Sequence, residues 1–231
     1  MTICDKNLCI GCGVCENVCK AEACRLQYDN EGFLYPIVDD SKCLNCNICK
    51  KKCPALSNTT LVSKQNGYAY YTKDTVLRKK SSSGGFFTDI ASYIINKKQG
   101  VVAGAAYTCQ DENTHYLQHV IVDNINDLSK MRGSKYVQSD TRNIFDDVQS
   151  YIAEGRTVLF VGTPCQVSAI KSFIGNNENL YTVDLFCHGI PSPQLFYKYL
   201  KEMNVKKNTY SREVIYLNNR IFYINMSFYL K

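Results

Sequence analysis

The chain has 231 residues, 45% of them hydrophobic and 12% aromatic, which is enough to bury the core of one small module and one larger domain. Its formal charge of +6 forms no basic stripe, so a nucleic-acid-binding face is excluded. The longest apolar stretches, 101–107 and 157–161, are far too short to span a bilayer. Residues 1–13 lack the basic start, apolar core and small-residue cleavage site of a secretory leader, which predicts a cytoplasmic protein of a reducing, anaerobic cell.

Eight of the 13 cysteines form two copies of one pattern: Cys9, Cys12, Cys15 and Cys19, then Cys43, Cys46, Cys49 and Cys53, followed by Pro54. Two, two and three residues separate successive cysteines, the spacing of a two-cluster bacterial ferredoxin. Three thiolates at that spacing wrap three corners of a cubic [4Fe-4S] cluster, and the fourth, where the chain leaves, serves the other cluster. Cys9, Cys12, Cys15 and Cys53 are therefore expected on cluster 1, and Cys43, Cys46, Cys49 and Cys19 on cluster 2. Gly11 and Gly13 in the first loop, and Asn45 and Asn47 in the second, tolerate the backbone angles such wrapping needs. A zinc ribbon would leave the third and fourth cysteine of each run without a role. A disulfide framework conflicts with the missing leader. Cluster-bound thiolates are anionic, so the +6 overstates the basicity. Cys4 and Cys24 flank the first run and read as spectators beside eight better-spaced ligands.

Four segments follow from composition: a ferredoxin-type domain over 1–56, a polar linker over 57–66, an α/β domain over 67–204 and an atypical tail over 205–231. Residues 67–72 read as a strand. Residues 84–98 read as a helix with Phe87, Ile90, Ala91, Ile94 and Ile95 on one face, and 100–107 and 116–123 as two strands. Residues 141–154 predict a helix with Ile144, Val148, Tyr151 and Ile152 inward, capped by Asp140 or Thr141. Residues 156–162 form a buried-strand run, Thr163 and Pro164 open a helix through Ile174, and 180–187 form a second strand, so the two strands should be parallel. Ser192 and Pro193 open a last helix through Lys201. The fold class is α+β: a small two-cluster bacterial-ferredoxin module followed by an α/β domain with a mixed sheet containing a parallel βαβ unit.

Ligands bind open α/β sheets at the carboxyl edge of the strands, where Cys165 and Cys187 fall. Both are candidates for chemistry, with His188 beside them; ordinary buried cysteines and a structural imidazole are the competing alternatives. Ser82, Ser83, Gly84 and Gly85 open a helix after three cations, and Gly133, Ser134, Lys135 and Tyr136 join a glycine turn to a cation and a ring. Together they suggest a phosphate-bearing redox cofactor such as a flavin. Cys109 has no identifiable partner, and His115 and His119 lack metal spacing.

The segments SSSGGFFTDIA (81–91), GSKYVQS (133–139), VLFVGTPCQ (158–166) and VDLFCHGIPSP (183–193), in this order behind a double cluster motif, resemble the coenzyme F-420 hydrogenase/dehydrogenase beta-subunit family. The resemblance implies an iron–sulfur oxidoreductase that carries FAD. It would pass electrons between one-electron carriers and a two-electron partner, a deazaflavin in archaeal relatives. It also implies a redox partner protein or small-molecule acceptor, a place in a larger complex, and a flavin pocket lined by the two glycine–serine loops with Gly162, Thr163, Pro164 and Cys165. An electron-transfer module without flavin chemistry, or a non-functional fragment, stands as the alternative. Relatives continue beyond the last predicted helix, whereas 205–231 has no Gly or Pro and is rich in residues with A/T-rich codons. An interrupted reading frame near Val205 is expected on that ground, with a family-like continuation in another frame downstream.

Overall fold

A computed structural model describes residues 1–57, 66–109, 115–202 and 228–230. In the first segment, each cysteine loop runs into one turn of helix, α1 (Val14–Asn17) and α2 (Ile48–Lys51). Between them lies an antiparallel hairpin, β1 (Cys24–Tyr28) with β2 (Leu34–Val38). Gly11 and Gly13 take φ of +60° and +83°, and Asn45 and Asn47 take +53° and +59° at the matching places of the second loop. Packing explains the different residue choice. A Cβ on Gly11 would stand 2.8 Å from the Leu34 carbonyl oxygen, and one on Gly13 would stand 2.8 Å from Arg142 Cγ. The second loop is open to solvent, so asparagine has room there.

The rest of the described residues build a mixed sheet with helices on both faces, its strands in the order 115–122, 101–109, 158–162, 180–185 and 228–230. The preceding helices are α3 (Thr75–Lys79) and α4 (Phe86–Lys98). Strands β3 (Val101–Cys109) and β4 (His115–Val122) form an antiparallel pair. After α5 (Phe145–Ala153) come β5 (Val158–Gly162), α6 (Pro164–Ile174) and β6 (Leu180–Leu185), the expected parallel βαβ unit. β3 is parallel to β5 as well. α7 (Pro193–Glu202) follows, and β7 (Phe228–Leu230) adds to β6 in antiparallel sense.

The pleat sends alternate residues to opposite faces. Val101, Ala103, Val158 and Phe160 pack with α5 and α6, whereas Val102 and Leu159 pack with Ala91 and Ile94 of α4. The inward faces anticipated for α4 and α5 are thus the buried ones.

Three expectations need correction. Residues 67–72 form no strand: Tyr68 and Tyr71 are exposed, and the segment is held at its end, where Thr72 N–H donates to the Gly84 carbonyl at 2.7 Å. α5 starts at Phe145, because both anticipated caps are engaged elsewhere. Thr141 Oγ1 donates to the Cys12 carbonyl at 3.1 Å and the Asp140 carboxylate accepts from Arg142, leaving Ile144 at the cap position without a side-chain cap. β6 ends at Leu185, so Cys187 lies beyond the strand. Most of the linker and, apart from β7, all of the tail after residue 202 fall outside the described residues.

The cysteine module and the sheet share a core. Val14 is fully buried in the cluster that contains Phe145, Val158 and Ile170. Lys52 Nζ donates to the Ser172 and Phe173 carbonyls at 2.9 and 3.2 Å, and Ser172 Oγ donates back to the Lys52 carbonyl at 2.7 Å. Val14→Ala should therefore destabilise the protein by about 1–3 kcal/mol. Ile48→Ala, at the matching and exposed position of the second loop, should change it by less than about 0.5 kcal/mol. Urea unfolding midpoints measured side by side would refute this if the two variants shifted equally.

Candidate functional site

Two centres meet in this molecule. In the first, the thiols of both runs lie close together, Cys15 standing within reach of either set. Cys12 is the electrostatic neighbour of Cys15, Cys53 and Cys9, while Cys49 neighbours Cys15, Cys19 and Cys46. Burial pushes the Cys12 thiol up to about 12, and also raises Cys9 and Cys49; backbone amides of Val14, Gly11 and Lys50 donate to these sulfurs and oppose the rise. Such amides are the groups that tune a cluster potential. Cys15 is raised first by its contact with Cys24 and then by burial. Cys4 is pushed up to about 12, mainly by burial, and touches Cys53 and Cys9. Cys4 and Cys24 therefore stand against the first set of ligand candidates. Among the described residues no three His, Cys, Asp or Glu side chains converge as a single metal ion requires, and a cubane, with one iron per thiolate, does not ask them to.

The second centre is a cleft of about 250 Å³ at the carboxyl edge of β5 and β6. Four segments far apart in sequence line it: residues 81–88, 131–139, 161–163 and 185–191. Ser82, Ser83, Gly84, Gly85, Gly133, Ser134, Lys135, Tyr136, Gly162 and Thr163 all contribute, and Cys187 and His188 lie on the same wall. Pro164 and Cys165 do not reach it. The chain turns away into α6 at that point, and Cys165 Sγ rests 3.1 Å from Thr163 Oγ1. Neither residue is among those that line this cleft.

Local geometry explains what each wall offers. Gly85, at φ +88°, takes the N-cap position of α4, no side chain caps that helix, and its first residues, Phe86 to Thr88, line the cleft. Arg132 lines the cleft and donates from Nε to Thr88 Oγ1 at 3.1 Å. Lys135 is a clamp more than a ligand. Its ammonium donates to the Met131, Arg132 and Gly133 carbonyls at 2.9, 3.1 and 3.1 Å, which holds the glycine turn. Burial lowers it to about 8. The N-terminus of α6 is closed by its own capping box, Gln166 Oε1 accepting from Thr163 N–H at 3.0 Å.

A buried polar chain forms the floor. His119 Nε2 lies 3.0 Å from the Val161 carbonyl, which can only accept, so Nε2 carries the proton. Nδ1 must then accept from Ser139 Oγ at 2.9 Å, and that hydroxyl accepts from Gln166 Nε2, also at 2.9 Å. Desolvation lowers His119 to about 4, so the ring is neutral at pH 7, stacked 4.9 Å from Phe160. Histidine spacing alone missed this residue. The available signal was its phase: His119 shares a strand face with Leu117 and Ile121, where an apolar residue belongs. Gln166 was legible as the third helical residue after Thr163. Gln138, marked in the sequence only as part of the GSKYVQS segment, lines the cleft and donates from Nε2 to the Ile10 carbonyl at 3.0 Å, joining the cleft to the first cysteine loop.

An electron-transfer module fused to an α/β body with a cleft at its strand edge defines the class. Residues 8–56 match the family model of the 4Fe-4S dicluster domain. Residues 68–145 and 155–226 match those of the coenzyme F420 hydrogenase/dehydrogenase beta subunit, N-terminal and C-terminal parts. The chain belongs to this beta-subunit family and has a 4Fe-4S dicluster domain ahead of it. The C-terminal match runs through residue 226, across the segment that composition had set apart as foreign to the family. A chain of the F420-reducing [NiFe] hydrogenase complex from Methanosarcina barkeri is similar over 59% of this chain at 19% identity, with a TM-score of 0.45. The match covers 50% of that chain's length. Among curated proteins none matches. Among the described residues no helix is long and apolar enough to cross a membrane.

Proposed function

We propose that the protein is an iron–sulfur flavoprotein oxidoreductase that passes electrons between one-electron carriers and a two-electron partner. FAD would sit in the cleft, and two [4Fe-4S] clusters on the eight cysteines named above. One observation carries this reading: four distant segments close one cleft, and a residue of that cleft, Gln138, holds the backbone of the first cysteine loop.

The walls fit the cofactor. The open N-terminus of α4 and the Arg132 guanidinium suit its pyrophosphate, Ser82 and Ser83 offer hydroxyls, and Gly84, Gly85 and Gly133 allow the backbone to approach it. Lys135 keeps the glycine turn in shape, and neutral His119 keeps charge out of the floor. A flavin held there supplies the conversion of single electrons into pairs. Cys187 and His188 on the outer wall are the candidates to meet the second substrate, a small-molecule acceptor such as a deazaflavin. Family membership supports a place beside other subunits in a larger complex.

Anaerobic purification with iron, sulfide and flavin analysis tests this. Two clusters' worth of iron with stoichiometric FAD is expected; iron without flavin, even after reconstitution with FAD, would leave a cluster-only carrier. Arg132→Ala should weaken FAD binding about tenfold to a hundredfold while leaving the cluster EPR signals unchanged, as loss of one charge-assisted phosphate contact predicts.

A further inference from the structure

We propose that the second cysteine loop, residues 43–53, is the electron port of this protein and docks a small acidic one-electron carrier protein, while the first loop is the inner terminal facing the cleft. The inference rests on the cluster assignment of the preceding section but not on the flavin.

The two runs are near copies, so comparing them position by position isolates what their surroundings do. Ile10 in the first run corresponds to Leu44 in the second, and Val14 to Ile48. In the first, the Ile10 and Cys12 carbonyls accept from Gln138 and Thr141, and Val14 is fully buried in the sheet's core. In the second, Leu44 is 77% exposed, Ile48 is 42% exposed and Cys46 is exposed. Lys52 ties only the end of this run to α6. One loop is built into the body and the other presents an apolar tip around a ligand cysteine.

Charge names the kind of partner. Glu16, Asn17 and Val18 of the first run are Lys50, Lys51 and Lys52 in the second, and Lys42 precedes it. From Ser41 to Lys73 the sequence contains no Asp or Glu. The two carboxylates just upstream are engaged: Asp40 pairs with the N-terminal ammonium at 2.7 Å, and Asp39 accepts from Ser41 N–H and Oγ at 3.0 and 2.6 Å. An apolar centre with a basic rim complements an acidic protein surface and suits a small, short-lived encounter. Each encounter exchanges one electron between the carrier and the outer cluster, one side oxidised and the other reduced, with no bond or proton transferred.

The test uses the full chain, loaded with iron and sulfide anaerobically, and calorimetry against an acidic two-cluster ferredoxin, with a basic cytochrome of similar size as control. Binding of the ferredoxin should weaken at least about tenfold between roughly 50 and 300 mM salt, as screening of exposed charges requires. Replacing Lys42, Lys50 and Lys51 together by Glu should weaken it at least about tenfold at low salt, with iron content and EPR signals unchanged. If that variant loads iron poorly, Lys42→Gln with Lys51→Gln should still weaken binding several-fold. Salt-insensitive binding, an unaffected lysine variant or tighter binding of the basic cytochrome would each overturn the port. Flavin assayed on the same sample separates the two ideas. Carrier binding without FAD sinks the flavoenzyme and leaves the port standing, whereas FAD without salt-dependent carrier binding sinks the port alone.

Discussion

A Gly84→Val protein is expected to purify with its iron–sulfur clusters and without flavin. A Cβ at position 84 would collide with the Tyr70 carbonyl oxygen, a backbone atom that cannot swing aside as a side-chain tip can. The same glycine's carbonyl accepts from Thr72 N–H at 2.7 Å, so separating the two segments also breaks their hydrogen bond. Gly85, next in line, holds φ +88° at the cap of α4, with Thr72 Cγ2 only 2.7 Å from where its Cβ would stand. Displacing this corner moves the helix end that is assigned to the pyrophosphate. Strain and lost contacts of several kcal/mol predict a fall in FAD affinity of about a hundredfold or more. The cysteine loops rest on α5 and α6, on the other face of the sheet, so iron and sulfide should stay at wild-type levels. Fluorescence titration with FAD beside iron analysis measures both, and retention of flavin at wild-type affinity would contradict the assignment of this corner.

The second large effect concerns acid. His119 is held neutral by desolvation at about 4, below its ordinary 6.5, so the unfolded chain takes up a proton that the folded chain refuses. Its contribution to stability is complete above pH 6.5 and is lost as the pH falls through that window toward 4. Between pH 7.5 and pH 5 the loss should be about 2 kcal/mol. His119→Gln removes the titrating group and should flatten that part of the profile, leaving any other acid-labile groups to act alone. Anaerobic urea unfolding of both proteins at the two pH values tests the sign and the size. Equal slopes for the two would show that the ring does not carry the window.

The cysteine motif, the βαβ unit and the inward faces of α4 and α5 were legible because each rests on local rules: ligand spacing, hydrophobic period and the Thr163-Pro164 helix start. The failures had tertiary causes. Residues 67–72 have the composition of a strand but meet no neighbouring edge. Thr141 and Asp140 look like caps, yet one is used on the Cys12 carbonyl and the other on Arg142. Cys165 was placed correctly at the strand edge, and the direction of α6 then carried it out of the cleft.

By itself, the sequence was enough to expect iron–sulfur clusters: the ferredoxin spacing of eight cysteines is a short-range property of the chain, and the 4Fe-4S dicluster domain matches over residues 8–56. It also determined which loops were candidates for an anionic cofactor. Only the tertiary structure decided that those loops form one cleft, that His119 and Gln138 belong to it, and that two nearly identical cysteine loops have opposite environments. Those facts depend on long-range contacts such as Gln138 with Ile10, 128 positions apart, and no local pattern encodes a partner at that distance.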